Sequence, residues 1–297
     1  MAAKQNSGNN KLAMTILKGR TFIVLIILLI FFSITADNFM SAGALLTVAK
    51  HVALYGILAI GMTYVIITGG IDLSVGSVAG LAGMIAGGLI QEGLTLKMFG
   101  VTLYFSVPMI VLITVLLGAL MGMINGLVIT KFNVAPFIAT LGTMYIWRGF
   151  ANIRSNGATF SELAGSEGLG NTGFEVFGRN LAGTAIPCGV LILALIAVAA
   201  GLVLKKTPFG WHVLSIGGNE KASKLSGIKV DRVKIWVYAF SGFCSAVVGI
   251  IATSQLVSAT PKTGESWEMN AIAASYLAEL PWQAVSARLA EPSSVRL

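Results

Sequence analysis

The chain has 297 residues, 56% of them hydrophobic and only 11% charged. A soluble domain carries about 25% charged residues, so the composition excludes an ordinary soluble fold and implies one polytopic membrane domain, all-α in class. The net charge of +8 does not mark a nucleic-acid binder, because the basic residues gather at the N-terminus and in residues 205–234 without an aromatic–basic groove.

In chain order, Lys4, Lys11, Lys18 and Arg20 precede a first apolar run. This looks like a signal peptide, but Asp37-Asn38-Phe39 is a poor cleavage site, so the run is expected to remain as a span. Seven spans are predicted: Thr21–Ala36, Val52–Thr68, Leu73–Ile90, Val107–Ile129, Val134–Phe150, Ala185–Leu204 and Val233–Ser254. Residues 1–20 are a cytoplasmic tail and 21–274 the membrane domain. With the N-terminus inside, six crossings return residues 205–234 to the cytoplasm. Lys205, Lys206, Lys221, Lys224, Lys229, Arg232 and Lys234 there oppose only Glu220 and Asp231, as the positive-inside rule requires. Residues 91–100 and 151–184 fall outside. The longer loop is read either as flexible and solvated or as a cover for the external mouth or a partner.

The link between the second and third spans is Gly69-Gly70-Ile71-Asp72. Two glycines unwind a helix end, and Asp72 is expected to N-cap the next helix by accepting backbone N–H groups. An ionisable residue inside a membrane domain is also a functional candidate, in the pathway or its gate. Gly76, Gly80, Gly83 and Gly87, and then Gly118, Gly122 and Gly126, recur at helical spacing and predict faces of close helix approach. Asn125 lies on the second face and needs a partner within the protein. Pro108 and Pro136 stand near span starts, where proline is tolerated.

Cys188 and Cys244 sit in apolar runs and do not suggest a disulfide. His51 and His212 are isolated and make no metal site. No phosphate-binding loop of the G-x-x-x-x-G-K-[ST] type and no Ser/His/Asp set is present, so neither ATP binding by that route nor catalysis is expected of this chain.

Phe209–Lys234 is the one long polar segment between spans. Gly217-Gly218-Asn219 reads as a turn, Glu220–Leu225 as a short helix, and Gly227 as its stop. Such a helix is either a docking element or part of a solvated loop whose charges fix topology. The segment GGNEKASKLSGIKVDRVK resembles the cytoplasmic coupling loop of the ribose-type ABC sugar permeases, within the branched-chain amino acid and monosaccharide permease superfamily. Gly217, Gly218, Asn219, Glu220, Ala222, Leu225, Ser226, Gly227 and Ile228 match that family's pattern. ITGGIDLSVGSVAGLAG, FIATLGTMYIWRG and ATPKTGESWEMNAIAA resemble it in the same order, from about residue 20 to Ala274. The resemblance implies a permease subunit that carries a monosaccharide, ribose-like pentose or hexose, across the cytoplasmic membrane. It implies a second permease chain, an ABC ATPase that binds ATP and Mg, and an extracytoplasmic sugar-binding protein, with about ten spans in a full-length member. Gly217–Gly227, Ser223 included, would carry coupling to the ATPase, and Gly69, Gly70, Asp72 and Ser74 would support the pathway. Rival readings are a permease for branched-chain amino acids or a sugar-derived signal, a secondary transporter and a membrane enzyme.

After Ala274 the character changes. Residues 275–297 hold Glu279, Arg288, Glu291 and Arg296 and no full span. A set of codons for these residues, read one base out of frame, gives Val-Ile-Ser-Gly-Gly-Thr-Ser-Leu-Ala-Gly-Gly and more of the family's continuation. The expectation is a one-base loss near codon 274. The product would then lack about three spans, assemble poorly and take up sugar below the normal rate.

Overall fold

The computed structural model describes residues 23–96 and 98–276. The reading of residues 1–20 as a cytoplasmic tail lies outside the described residues, and so does that of 275–297 as an aberrant tail, save its first two residues. The chain divides into two units at Ala49/Lys50. The first holds helix α1 (Ile23–Thr35) and the opening of α2 (Ala42–Ile67). The second holds the rest of α2, then α3 (Val75–Gln91), α4 (Val107–Lys131), α5 (Pro136–Ser155), α6 (Cys188–Lys206), α7 (Pro208–Gly218), α8 (Glu220–Leu225) and α9 (Val230–Leu256). Residues 267–276 are also helical.

Each predicted span overlaps a helix, most ends being displaced by a few residues, while α2 starts ten residues before the expected Val52. By length and apolar composition α2, α4, α6 and α9 can cross a membrane, and α1 and α3 are shorter apolar helices. Proline sets two helix starts, in the first turn of α4 and at the first residue of α5, where a missing N–H costs nothing. The segment between α3 and α4 adds an element that the sequence reading lacked. Leu94–Leu96 and Val101–Leu103 pair antiparallel, and the Thr95 and Thr102 hydroxyls meet at 3.2 Å.

The helices differ sharply in how they are packed. Fifteen of the seventeen residues of α3 are buried, whereas only Gly189 and Ala200 are buried on α6. Thus α3 and α9 form the centre, and α6 presents apolar side chains nearly all round, as a lipid-facing helix does. The predicted small-residue faces are where the backbones meet. Gly118 and Gly122 lie against Gly242, Ala246 and the Tyr238 carbonyl of α9, and Gly126 lies against Ile235. On α3, Gly76 and Gly80 face the carbonyls of Gly264 and Thr263, and Gly83 faces Thr253.

The segment 151–184 packs on the bundle. Phe174 and Leu163 are fully buried, Phe160 bridges to Ala259, and Asn171 Nδ2 donates to the Ile90 carbonyl at 2.8 Å. Ser254 Oγ donates to the Phe174 carbonyl at 2.7 Å. The Leu163 N–H donates to the carbonyl of Val257, which ends α9 at a φ of 48°. That conformation is costly for a β-branched residue, so the loop braces a strained helix end. Phe160, Leu163, Asn171, Phe174 and Gly178 are thus buried against the bundle, while most of the residues between them are exposed.

Candidate functional site

The sequence-derived candidates fall into two groups. The first is a buried polar turn. Helix α2 ends in paired 6→1 and 5→2 bonds, from Gly70 N–H to the Val65 carbonyl (3.0 Å) and from Gly69 N–H to the Ile66 carbonyl (2.9 Å). The first of these requires the left-handed φ of 78° at Gly69. The chain then passes Gly70, where a Cβ would strike the Tyr238 hydroxyl, and reaches Asp72, which is 1% exposed.

Asp72 is not the N-cap that the sequence suggested. Ser74 holds that position with helical backbone angles and makes no side-chain cap bond. Asp72 stands two residues earlier. Its Oδ1 accepts from the Ser74 N–H at 3.0 Å and the Ser74 hydroxyl at 2.7 Å, and its Oδ2 accepts from the Ser241 hydroxyl at 2.8 Å. The first bond is an Asx turn, which satisfies one donor at the helix start, and the last reaches across to α9. Asn125 Nδ2 donates to Ser74 Oγ at 2.7 Å, giving the predicted internal partner for Asn125 on α4. Thr140 Oγ1 of α5 donates to the Ile71 carbonyl at 3.2 Å. One carboxylate thus ties α3 to α9, and the serine it orients ties α3 to α4.

Depth follows from helix geometry. Asn125 is six residues before the end of α4 and Ser241 eleven residues after the start of α9. At 1.5 Å per residue the knot lies about 9–16 Å from those helix ends, within the bundle. Two buried polar atoms at the knot, Asn125 Oδ1 and the Tyr238 hydroxyl, have no hydrogen-bond partner among the described residues. Unsatisfied groups of this kind are costly when static, and they suit a site where partners change.

The second group is α8 and its flanks. Gly217 and Gly218 are not a turn: both are helical, closing α7, and neither has a positive φ. Gly217 is needed for closeness, since a Cβ there would meet the Ile67 carbonyl at the end of α2. The turn is Asn219 alone, extended at φ −160°, ψ 103°. Its Oδ1 accepts from the Ala222 N–H at 2.9 Å and so N-caps α8. The helix stops as the sequence indicated. Gly227 has a φ of 87°, its N–H donates to the Lys224 carbonyl (3.1 Å), and the Ile228 N–H donates to the Ser223 carbonyl (3.1 Å). Glu220 pairs with Lys234 of α9 at 2.9 Å. Ser223 is buried and Ser226 Oγ donates to the Ala222 carbonyl, while Leu225 is 91% exposed.

The two groups do not touch. They are joined by α9, which starts five residues after α8 and carries Tyr238 and Ser241 to the polar knot, and by Gly217, which rests on α2 two residues before Gly69. Ser241 went unnoticed in the sequence because a lone serine in an apolar helix looks like packing; its signal was the adjacent Gly242 on the α4-facing side. Among the described residues no group of three His, Cys, Asp or Glu side chains is placed to hold a metal.

Close-packed apolar helices around a buried polar turn, four of them long and apolar enough to cross a membrane, make a polytopic membrane protein. The family described as "Branched-chain amino acid transport system / permease component" matches residues 44–290, and the chain belongs to it. The chain is 42% identical to the ribose import permease protein RbsC of Bacillus subtilis (strain 168), over 86% of this chain and 74% of that protein. It is 37% identical to the RbsC of Haemophilus influenzae (91% and 79% covered) and 35% identical to the galactose/methyl galactoside import permease protein MglC of Escherichia coli K12 (90% and 80%). No solved structure matches. The chain is therefore a transport component and not an enzyme.

Proposed function

We propose that the chain is the membrane-spanning subunit of an ABC importer that moves a monosaccharide inward across the cytoplasmic membrane. ATP would be hydrolysed, with Mg, on a separate ATPase chain. A second permease chain would complete the pathway and an extracytoplasmic sugar-binding protein would deliver the substrate. The basic 205–234 segment supports an orientation in which α8 and the N-terminus would lie in the cytoplasm.

The observation that carries this reading is Leu225. It is the most exposed large hydrophobic side chain among the described residues, on a six-residue helix capped at both ends. Rigidity and an uncovered apolar anchor are what a docking element needs. The ATPase seated on Gly217–Gly227 would pull α8. The Glu220–Lys234 pair and the short 226–229 connection would pass that motion to α9, and Ser241 would carry it to Asp72 and Ser74. ATP can drive the cycle only if the ATPase binds the inward-open and outward-open states with different affinity. The unpartnered Tyr238 hydroxyl and Asn125 Oδ1 are then groups that gain partners in the other state.

The test is accumulation of labelled ribose, galactose, fructose and leucine by cells that carry this chain with its importer partners, against the same cells without it. ATP-dependent accumulation of a monosaccharide is expected. Accumulation of leucine alone would move the substrate to branched-chain amino acids, and energy-independent equilibration would remove the ABC mechanism.

A further inference from the structure

We propose that a polar cavity between α5 and residues 261–268 is a contact site for the transported polyhydroxylated solute; this deepens the import reading above and rests on it. The cavity has a volume of about 390 Å3, within the roughly 300–1,000 Å3 typical of small-molecule sites. Tyr145, Arg148 and Asn152 approach it from one face of α5, and Lys262, Glu265 and Glu268 from the facing segment. None of them takes part in the polar knot or the α8 surface.

The floor of the cavity is built rather than incidental. Arg148 Nη1 donates to the carbonyls of Pro261 (2.5 Å) and Thr263 (2.7 Å). This pins the 261–264 backbone across the glycine face of α3, where Gly76 and Gly80 leave room for the Gly264 and Thr263 carbonyls. Arg148 lies seven residues from the end of α5, about 10 Å along the helix. An arginine at that depth is costly in a membrane domain unless it is paired; the two carbonyls supply partners, and intramembrane ionisable residues commonly mark a solute path.

The chemistry of the walls selects the solute. Arg148 and Lys262 balance Glu265 and Glu268, and both carboxylates act electrostatically on Arg148. A site with balanced charge favours neither an anion nor a cation. Asn152 uses Nδ2 on the Arg148 carbonyl at 2.9 Å, which leaves its Oδ1 to accept from a hydroxyl. The carboxylates are further acceptors for hydroxyl groups. Tyr145, 68% exposed, offers an aromatic face against which the C–H side of a sugar ring can pack.

Arg148 holds the backbone, so its removal risks unfolding and is not the test. Asn152→Ala, Glu268→Gln and Tyr145→Ala keep the pin. Equilibrium binding of labelled ribose and galactose is measured on the full purified chain in lipid nanodiscs, with thermal unfolding as the fold control. Saturable binding by the parent, weakened about tenfold or more in Asn152→Ala and Glu268→Gln at an unchanged unfolding midpoint, is expected. Equal affinity in parent and variants, or no saturable binding by the parent below about 10 mM, overturns the site. Either result alongside ATP-dependent sugar accumulation by cells carrying the parent removes the site alone. A parent that accumulates no sugar removes the import reading as well.

Discussion

Leucine at Gly122 is expected to dismantle the bundle, whereas leucine at Gly142 leaves it standing. Both glycines are helical, on α4 and α5. A Cβ at Gly122 would collide with the Tyr238 carbonyl and come within 3.0 Å of the Gly242 N, both of them backbone. A flexible side chain could move aside, but the α9 backbone can yield only by separating the helices. Separation would expose the Gly118 and Gly126 contacts and pull Ser241 away from Asp72. Overpacking of a core costs about 1–3 kcal/mol where side chains can adjust, and a backbone clash on both flanks should exceed the upper end. Gly142 has no atom within 4 Å of its would-be Cβ. Its replacement should shift stability by less than about 1 kcal/mol. Thermal unfolding of both variants in one detergent separates them; equal midpoints would refute the packing described for α4 and α9.

The second large effect belongs to Asp72. Asp72→Leu removes the acceptor of three donors, the Ser74 N–H, the Ser74 hydroxyl and the Ser241 hydroxyl. A buried donor left unmade costs about 1–3 kcal/mol, so a loss of about 3 kcal/mol or more is expected, together with loss of transport. Asp72→Asn keeps one acceptor oxygen, and a hydroxyl can rotate to accept from the new amide, so its effect should be smaller. Ser241→Ala placed on Asp72→Leu removes one of the orphaned donors and should recover part of the stability. That recovery is the signature of a direct bond, and strict additivity of the two substitutions would show that Ser241 and Asp72 act separately.

Much of this arrangement was legible in the residues because spans, small-residue faces and helix stops have local causes. Each of the seven apolar runs falls on a helix, four of them long and apolar enough to cross a membrane, since a membrane helix must satisfy its own backbone. The stop at Gly227 and the need of Asn125 for an internal partner were equally local. What escaped was set by tertiary contact. Asp72 looked like a cap because its residue type favours capping, but Ser241, 169 residues away, fixes its second oxygen. Gly217 looked like a turn because glycine permits one. Its actual use is closeness to the Ile67 carbonyl, which no local pattern displays. Arg148 carried a sequence signal, an arginine in an apolar run, but its partners are backbone carbonyls more than a hundred residues on.

The central claim is that α8 seats an ATPase through Leu225. The direct measurement is affinity capture of the tagged full chain from native membranes, with identification and quantification of any co-eluting ATPase, for the parent and for Leu225→Glu. Leu225 is exposed, so the substitution leaves the bundle intact, and an anchor residue of this kind is worth about 2 kcal/mol or more at an interface. The expected result is an ATPase bound to the parent and reduced at least about tenfold on Leu225→Glu at equal chain abundance. An ATPase held equally by both would contradict the assignment of α8 as its seat, and a parent that captures none would contradict the importer itself.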